Sequence, residues 1–230
     1  MKMKRAVACL LALLICFILP FSVSASESGV YYNCKCYNGE MKIALTFDDG
    51  PHPRKTPQIL NILEKYGIKS TFFLIGQNIR YYPDAARMII DRGHEIGNHT
   101  FTHPHNLNQS SESEILDEMN KCEEAIKGLL GYKPTIFRPP EGVVEGGICK
   151  IAKSCGYNVI LWSIDTRDWA GVPAEKIVSD LTKSISPGDI ILMHDYTGKK
   201  SHTAEALELM IPELLKMGYS FVTVSELINK

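Results

Sequence analysis

From residue 41 onward, short apolar runs alternate with longer stretches whose apolar positions recur every three or four residues. Runs of strand length are 42–47 (KIALTF), 70–75 (STFFLI), 94–97 (HEIG), 134–137 (PTIF), 158–163 (NVILWS), 189–193 (DIILM) and 220–224 (SFVTV). Helices are expected between them. Thr56-Pro57 supplies an N-cap and a first-turn proline, and Gly67 follows the end of that helix. Pro83-Asp84 opens a second helix that Gly93 closes. Ser111 and Glu114 form a capping box before a long helix to about Leu130. Further helices fit 146–155, 174–185 and 203–217.

The pattern amounts to about seven β/α units. Alternation at this spacing implies a parallel sheet with right-handed crossovers. A closed or nearly closed barrel and an open doubly wound sheet both satisfy it.

The start of the chain is different. MKMKR is followed by an almost wholly apolar run over 6–19, then Pro20, then small residues at Val23 and Ala25. This is the layout of a secretory signal peptide. The run is short for a membrane span of about 20 residues, so cleavage after Ala25 and no stable span afterwards are expected. Three segments follow: a signal peptide at 1–25, a polar, flexible leader at 26–40 (SESGVYYNCKCYNGE) and one folded domain at 41–230. The product would be secreted or associated with the cell wall.

Charge adds an exclusion. The first 25 residues hold Lys2, Lys4 and Arg5 and no acid, so their removal takes the net charge from −1 to −4. A nucleic-acid binder would normally carry a basic face, and none is indicated. Five cysteines remain, Cys34, Cys36, Cys122, Cys149 and Cys155. Their odd number and spacing argue against a disulfide framework or a C-x-x-C zinc site.

The candidate chemistry follows the strands. Asp48-Asp49 comes after the first, His99 to His103 after the third and Arg138-Pro139-Pro140 after the fourth. Asp165, Asp168 and Trp169 come after the fifth, and His194-Asp195 after the sixth. In barrels of this type the active site is built from loops at the C-terminal ends of the strands. The clustering therefore reads as an enzyme. His99 and His103 stand four apart and with a carboxylate would make a three-ligand metal site with one position open. His105 is a nearby third imidazole that spacing alone does not exclude. Of the adjacent Asp48 and Asp49, one can hold a metal while the other faces the reacting water, and a dication offsets their repulsion. Arg138 suits a bidentate grip on a carboxylate. An acid beside His194 would raise its pKa and suit it to general acid work.

The ordered motifs TFDDG, H-T-F-T-H, RPP-x-G, D-T-R-D-W and L-M-H-D carry a resemblance. Over about residues 41–228 the chain resembles the polysaccharide deacetylases, the NodB-homology group of carbohydrate esterases, family four. The resemblance implies an irregular (β/α)7 barrel. It implies a divalent metal, usually zinc, with cobalt or another transition metal as alternatives, held by Asp49, His99 and His103. Asp48 would be the general base, oriented by Arg138, and His194 the general acid, tuned by Asp168. Trp169 and Leu192 would line the groove for the acetyl methyl, and the backbone N–H after Pro140 would hold the oxyanion. The implied activity is removal of N-acetyl groups from a GlcNAc-containing polysaccharide, peptidoglycan or a chitin-type oligosaccharide, by a monomer.

Glu141 departs from the family, which often has an aromatic or other non-acidic residue after RPP; an acid there would either favour a partly deacetylated, cationic glycan or point to solvent. Two neighbouring readings are an O-acetyl xylan esterase on the same fold and an inactive carbohydrate-binding homologue. Against the second, Asp48, Asp49, His99, His103, Arg138 and His194 are all present. A phosphotransferase with an aspartate nucleophile would need two aspartates one residue apart followed by Gly-Thr, which this sequence lacks.

Overall fold

A computed structural model describes residues 29–34, 36, 39–196 and 201–229. The expected signal peptide lies outside the described residues. The strands are β1 (Val30–Tyr31), β2 (Lys42–Asp48), β3 (Thr71–Leu74), β4 (Glu95–Asn98), β5 (Ile136–Phe137), β6 (Asn158–Ile160), β7 (Ile164–Asp165), β8 (Ile190–His194) and β9 (Ser220–Val222). The helices are α1 (Lys55–Lys65), α2 (Gly76–Tyr81), α3 (Pro83–Asp91), α4 (Glu112–Leu130), α5 (Ile148–Ser154), α6 (Ala174–Ser184), α7 (Thr203–Lys216) and α8 (Val224–Ile228).

All the strand pairs are parallel, in the order β1-β6-β5-β4-β3-β2-β8-β7. β2 forks: its first residues pair with β9 and its last with β8. The sheet is the curled sheet of an irregular β/α barrel, with no ladder joining β1 to β7 among the described residues. Each expected run yields a strand, but the one expected over 158–163 stops at Ile160, and a separate short strand, β7, forms just beyond it at Ile164–Asp165 because the chain changes partner between them. Leu161 N–H bonds Tyr31 on one side, and Ser163 N–H bonds Ile190 on the other. Val30–Tyr31 falls inside the stretch expected as a leader and pairs with β6, since it supplies apolar residues to that open edge.

Alternation along β2 sorts the interior. Ile43, Leu45 and Phe47 face the helices and pack with Leu60, Leu63, Leu207 and Leu214. Full burial of such side chains stabilises by roughly 1.5–3 kcal/mol each. Ala44 joins Phe73, Ile136, Ile160 and Ile190 on the other face, and Thr46 and Asp48 follow with the period of two. The barrel interior is thus apolar at one end and polar at the strand C-termini.

Helix ends follow their sequence signals in part. The Ser111–Glu114 capping box forms at α4, and Gly131 closes that helix with φ 64°. Thr56 is not the cap of α1, which begins at Lys55. Instead His52 Nδ1 accepts the N–H groups of Arg54 and Lys55, 3.1 Å each. The Thr56 hydroxyl accepts from His52 N–H at 2.7 Å and donates to Asp195. The five cysteines are free thiols, with Cys122 buried.

Candidate active site

The C-terminal ends of β2, β4 and β8, with the loops after β5 and β7, surround a cavity of about 440 Å³. Asp48, Asp49, His99, His103, Glu141, Trp162, Asp165, Trp169, Leu192 and His194 line it.

Arg138 lies beneath the cavity, fully buried at 0% exposure. Nη1 donates to Asp48 Oδ1 at 2.7 Å and to Thr46 Oγ1 at 2.8 Å. Nε and Nη2 donate to the carbonyls of Ile160 and Leu161 at 3.1 and 2.9 Å. The guanidinium also lies 4.1 Å from the centre of the Phe73 ring. A buried cation is tolerable only when paired and hydrogen-bonded, and Asp48, 3% exposed, is its anion. Burial lowers the Arg138 pKa, and the Asp48 charge opposes that. One oxygen of Asp48 is thereby fixed, and Oδ2 is turned toward His99 Nε2, 3.8 Å away.

Asp49 sits in the next position with φ 74°, so its side chain leaves the strand in another direction. Its Oδ1 is 3.4 Å from His99 Nε2 and 3.4 Å from His103 Nε2. The Arg138 carbonyl only accepts, so His99 Nδ1 donates to it (2.7 Å) and Nε2 is left as a lone-pair donor toward Asp49. These three donor atoms lie within 4.8 Å of one another. A separation of 3.4 Å is long for a hydrogen bond. The two 3.4 Å separations from Asp49 match the edge of a tetrahedron whose centre lies about 2.1 Å from each corner, the range for zinc with His and Asp ligands. The residues therefore fit a divalent metal. His105 is apart from this group: it is 80% exposed and its Nδ1 pairs with Glu141 Oε1 at 2.8 Å.

Across the cavity, His194 is gripped by Asp168. Its Nδ1–H and its backbone N–H donate to the two oxygens of Asp168, 2.8 Å each. Trp169 N–H and the Thr203 hydroxyl donate to the same carboxylate at 2.9 and 2.7 Å. Burial opposes the imidazolium, but the Asp168 hydrogen bond and charge, aided by Asp48 and Asp49, raise the His194 pKa to about 9. His194 is thus a proton donor at neutral pH, facing a carboxylate with a free oxygen.

Every residue expected in the site from sequence lines this cavity or supports it, with one refinement. Pro140 is buried and the cavity is met by Glu141, whose backbone turns through φ 58°. Two contributors, Trp162 and Thr203, were not expected, and Asp195, expected only as the acid beside His194, takes a different partner, the Thr56 hydroxyl. Trp162 lines the cavity from the end of an apolar run that reads as core. Thr203 reaches Asp168 from α7. Asp195 is fully buried behind Gly50, and burial pushes its pKa up to about 7 against the Thr56 hydrogen bond. A Cβ at Gly50 would stand 2.3 Å from both Asp195 oxygens, so only glycine fits there. The one sequence signal for this contact was the carboxylate directly after His194.

Comparison with known proteins places this geometry. A family model described as polysaccharide deacetylase matches residues 36–160. A peptidoglycan-N-acetylglucosamine deacetylase of Bacillus cereus is 43% identical over 208 residues, 88% of this chain and 95% of that protein. A crystal structure of a peptidoglycan N-acetylglucosamine deacetylase, in complex with an N-oxidanyl-benzamide ligand, superposes with a TM-score of 0.82 at 37% identity, covering 86% of this chain and 92% of that one. A pseudoenzyme of the CE4 family from Bacillus anthracis superposes with a TM-score of 0.80 at 33% identity, covering 87% and 69%.

Proposed function

We propose that this chain, which belongs to the polysaccharide deacetylase family, is a secreted, metal-dependent hydrolase that removes N-acetyl groups from the GlcNAc units of peptidoglycan. The observation that carries the reading is the convergence on one cavity of a three-donor metal cluster, a carboxylate with one free oxygen and a raised-pKa histidine. The signal-peptide layout of residues 1–25 supports secretion, and no described helix is long and apolar enough to cross a membrane. The name of the Bacillus cereus relative supports peptidoglycan as the polymer. The inactive reading is disfavoured because base, acid and all three donors are present and aligned.

The reaction converts an amide and water into acetate and an amine. Asp49, His99 and His103 would hold the metal, zinc by the donor set. When bound, the metal supplies Lewis acidity, polarising the acetyl carbonyl and making water a better nucleophile at neutral pH. Asp48 Oδ2 takes the proton of the attacking water while Arg138 holds Oδ1. His194, its Nδ1–H committed to Asp168, presents Nε2–H to the departing nitrogen and gives it the proton that makes the amine a leaving group. The backbone N–H of Glu141 supplies a fixed donor for the oxyanion. Leu192, Trp162 and Trp169 form the apolar wall that receives the acetyl methyl.

The test is acetate release by the purified protein from peptidoglycan, a chitin oligosaccharide and acetylated xylan, each with zinc and with a chelator. Chelator-sensitive release from peptidoglycan is expected. Release from xylan alone would move the chain to O-acetyl esterase chemistry, and chelator-insensitive release would remove the metal from the reading.

A further inference from the structure

The loop that carries both histidines is bent in a way its residues resist. Thr100 has φ 66° and His103 has φ 55°. A β-branched residue with positive φ is an outlier, and such backbones persist only when their surroundings hold them. His99 needs little help: it is buried and its ring is tied to the Arg138 carbonyl. His103 is more open, with its side chain 23% exposed, and its place depends on the backbone that leads to it.

That backbone is clamped from two sides. On one, the N–H groups of Gly76 and Gln77, at the start of α2, donate to the carbonyls of Thr100 and Phe101 at 3.0 and 2.9 Å. A Cβ at Gly76 would stand 2.6 Å from the Phe101 ring, so this approach is as close as the chain allows. On the other side is Glu118, on α4. Its Oε2 accepts the N–H groups of Phe101 and Thr102 at 2.9 and 2.8 Å, and its Oε1 accepts the Thr102 hydroxyl at 2.9 Å. One carboxylate thus takes three donors from the two residues midway between the histidines.

The geometry points to Glu118 as a positioning residue for the metal site: through Phe101 and Thr102 it fixes His103 Nε2 opposite Asp49, and so sets the affinity for the metal without touching it. This rests on the metal reading above. The carboxylate has a specific advantage, since three donors arrive at two oxygens and an ionised acid accepts all of them with charge-assisted strength. Groups that orient metal ligands typically contribute 10–100-fold to metal affinity.

The test is a zinc titration of metal-free protein against a chromophoric chelator, with thermal unfolding of the same metal-free samples. The variants are Glu118→Ala, Glu118→Gln and, as a control on the same helix, Glu114→Ala, which removes the capping box and leaves the loop alone. Glu118→Ala is expected to weaken zinc by about 10–100-fold. Glu118→Gln, whose amide oxygen still accepts both N–H groups and whose NH2 meets the Thr102 hydroxyl as an acceptor, is expected to recover most of that. Glu114→Ala is expected to lower the unfolding temperature with zinc affinity unchanged. If Glu118→Ala does not fold, Glu118→Leu, which keeps the length of the side chain and removes its acceptors, takes its place: zinc weakened at least about tenfold against wild type supports the assignment, and affinity within about tenfold of wild type overturns it. Equal zinc affinity in wild type and Glu118→Ala, or equal weakening in Glu114→Ala, overturns the role of Glu118 alone. A wild type that binds no zinc overturns both this role and the metal reading.

Discussion

Replacing Asp168 by asparagine tests the acid half of the site. Both carboxylate oxygens accept from a backbone N–H, Trp169 on one and His194 on the other. Those donors cannot reverse, so the asparagine NH2 must face one of them whichever way the amide turns. The negative charge beside the imidazole is lost as well. His194 stands at about 9 against an ordinary 6.5, which at about 1.4 kcal/mol per pKa unit is on the order of 3 kcal/mol between its two protonation states. Asp48 and Asp49 supply part of this, so the variant is expected to drop the histidine by about 1–2 pH units. The alkaline limb of kcat/KM for acetate release, expected near pH 9 in the wild type, should move down by that amount.

Stability gives a second reading with a definite sign. A histidine raised by folding stabilises fully below its unfolded pKa of 6.5 and loses that contribution as pH rises through about 9. The wild type should therefore exceed Asp168→Asn by its largest margin at pH 6, and the margin should shrink by pH 10. Urea unfolding at the two pH values measures it. An unmoved alkaline limb, or a stability margin that grows with pH, would refute the assignment of His194 as an acid held charged by Asp168.

Asp48→Asn keeps an acceptor oxygen for Arg138 but not the charge, so it should lose some stability together with about 10²–10⁴-fold in acetate release. Asp48→Ala removes both the charge and the acceptor from a buried guanidinium and should destabilise more, by about 3–5 kcal/mol; urea midpoints should fall in the order wild type, Asn, Ala. Gly50→Ala forces a methyl against Asp195 and should destabilise by about 1–3 kcal/mol, read as a lower thermal midpoint. His94 accepts the Ser70 N–H at Nδ1, and burial, with the charges of Lys69 and Arg92, pushes its pKa down to about 4. Its contribution is present above 6.5 and lost as pH falls through about 4, on the order of 3 kcal/mol. His94→Gln should flatten the fall in urea midpoint between pH 7 and 4.

The alternation of apolar runs and helical stretches was enough to read a parallel sheet with its chemistry at one end. Asp48, Asp49, His99, His103, Arg138, Asp168 and His194 stood out because polar residues at the ends of buried strands have few other uses. What stayed hidden depends on contacts between distant segments. Trp162 reads as core until the strand bends at Ser163. Glu118 looks like any solvent-facing acid of an amphipathic helix, since only the fold brings α4 against the loop at 100–103. Thr56 carries a capping signal that His52 pre-empts, which frees its hydroxyl for Asp195. Within α2, Gly76–Tyr81 is too short for periodicity to separate it from a turn.

The burial of Arg138 also shapes how a lineage carrying this fold can drift. A step that removes Asp48 alone strands a cation among Phe73, Ile160 and Trp162, so it is penalised in any cell that needs the chain to fold, whether or not it needs the reaction. Asp49 and His103, at 26% and 23% exposure, carry no such charge debt to the core. Inactive descendants should therefore lose a rim ligand first and keep the aspartate–arginine pair long after catalysis has ceased to be selected.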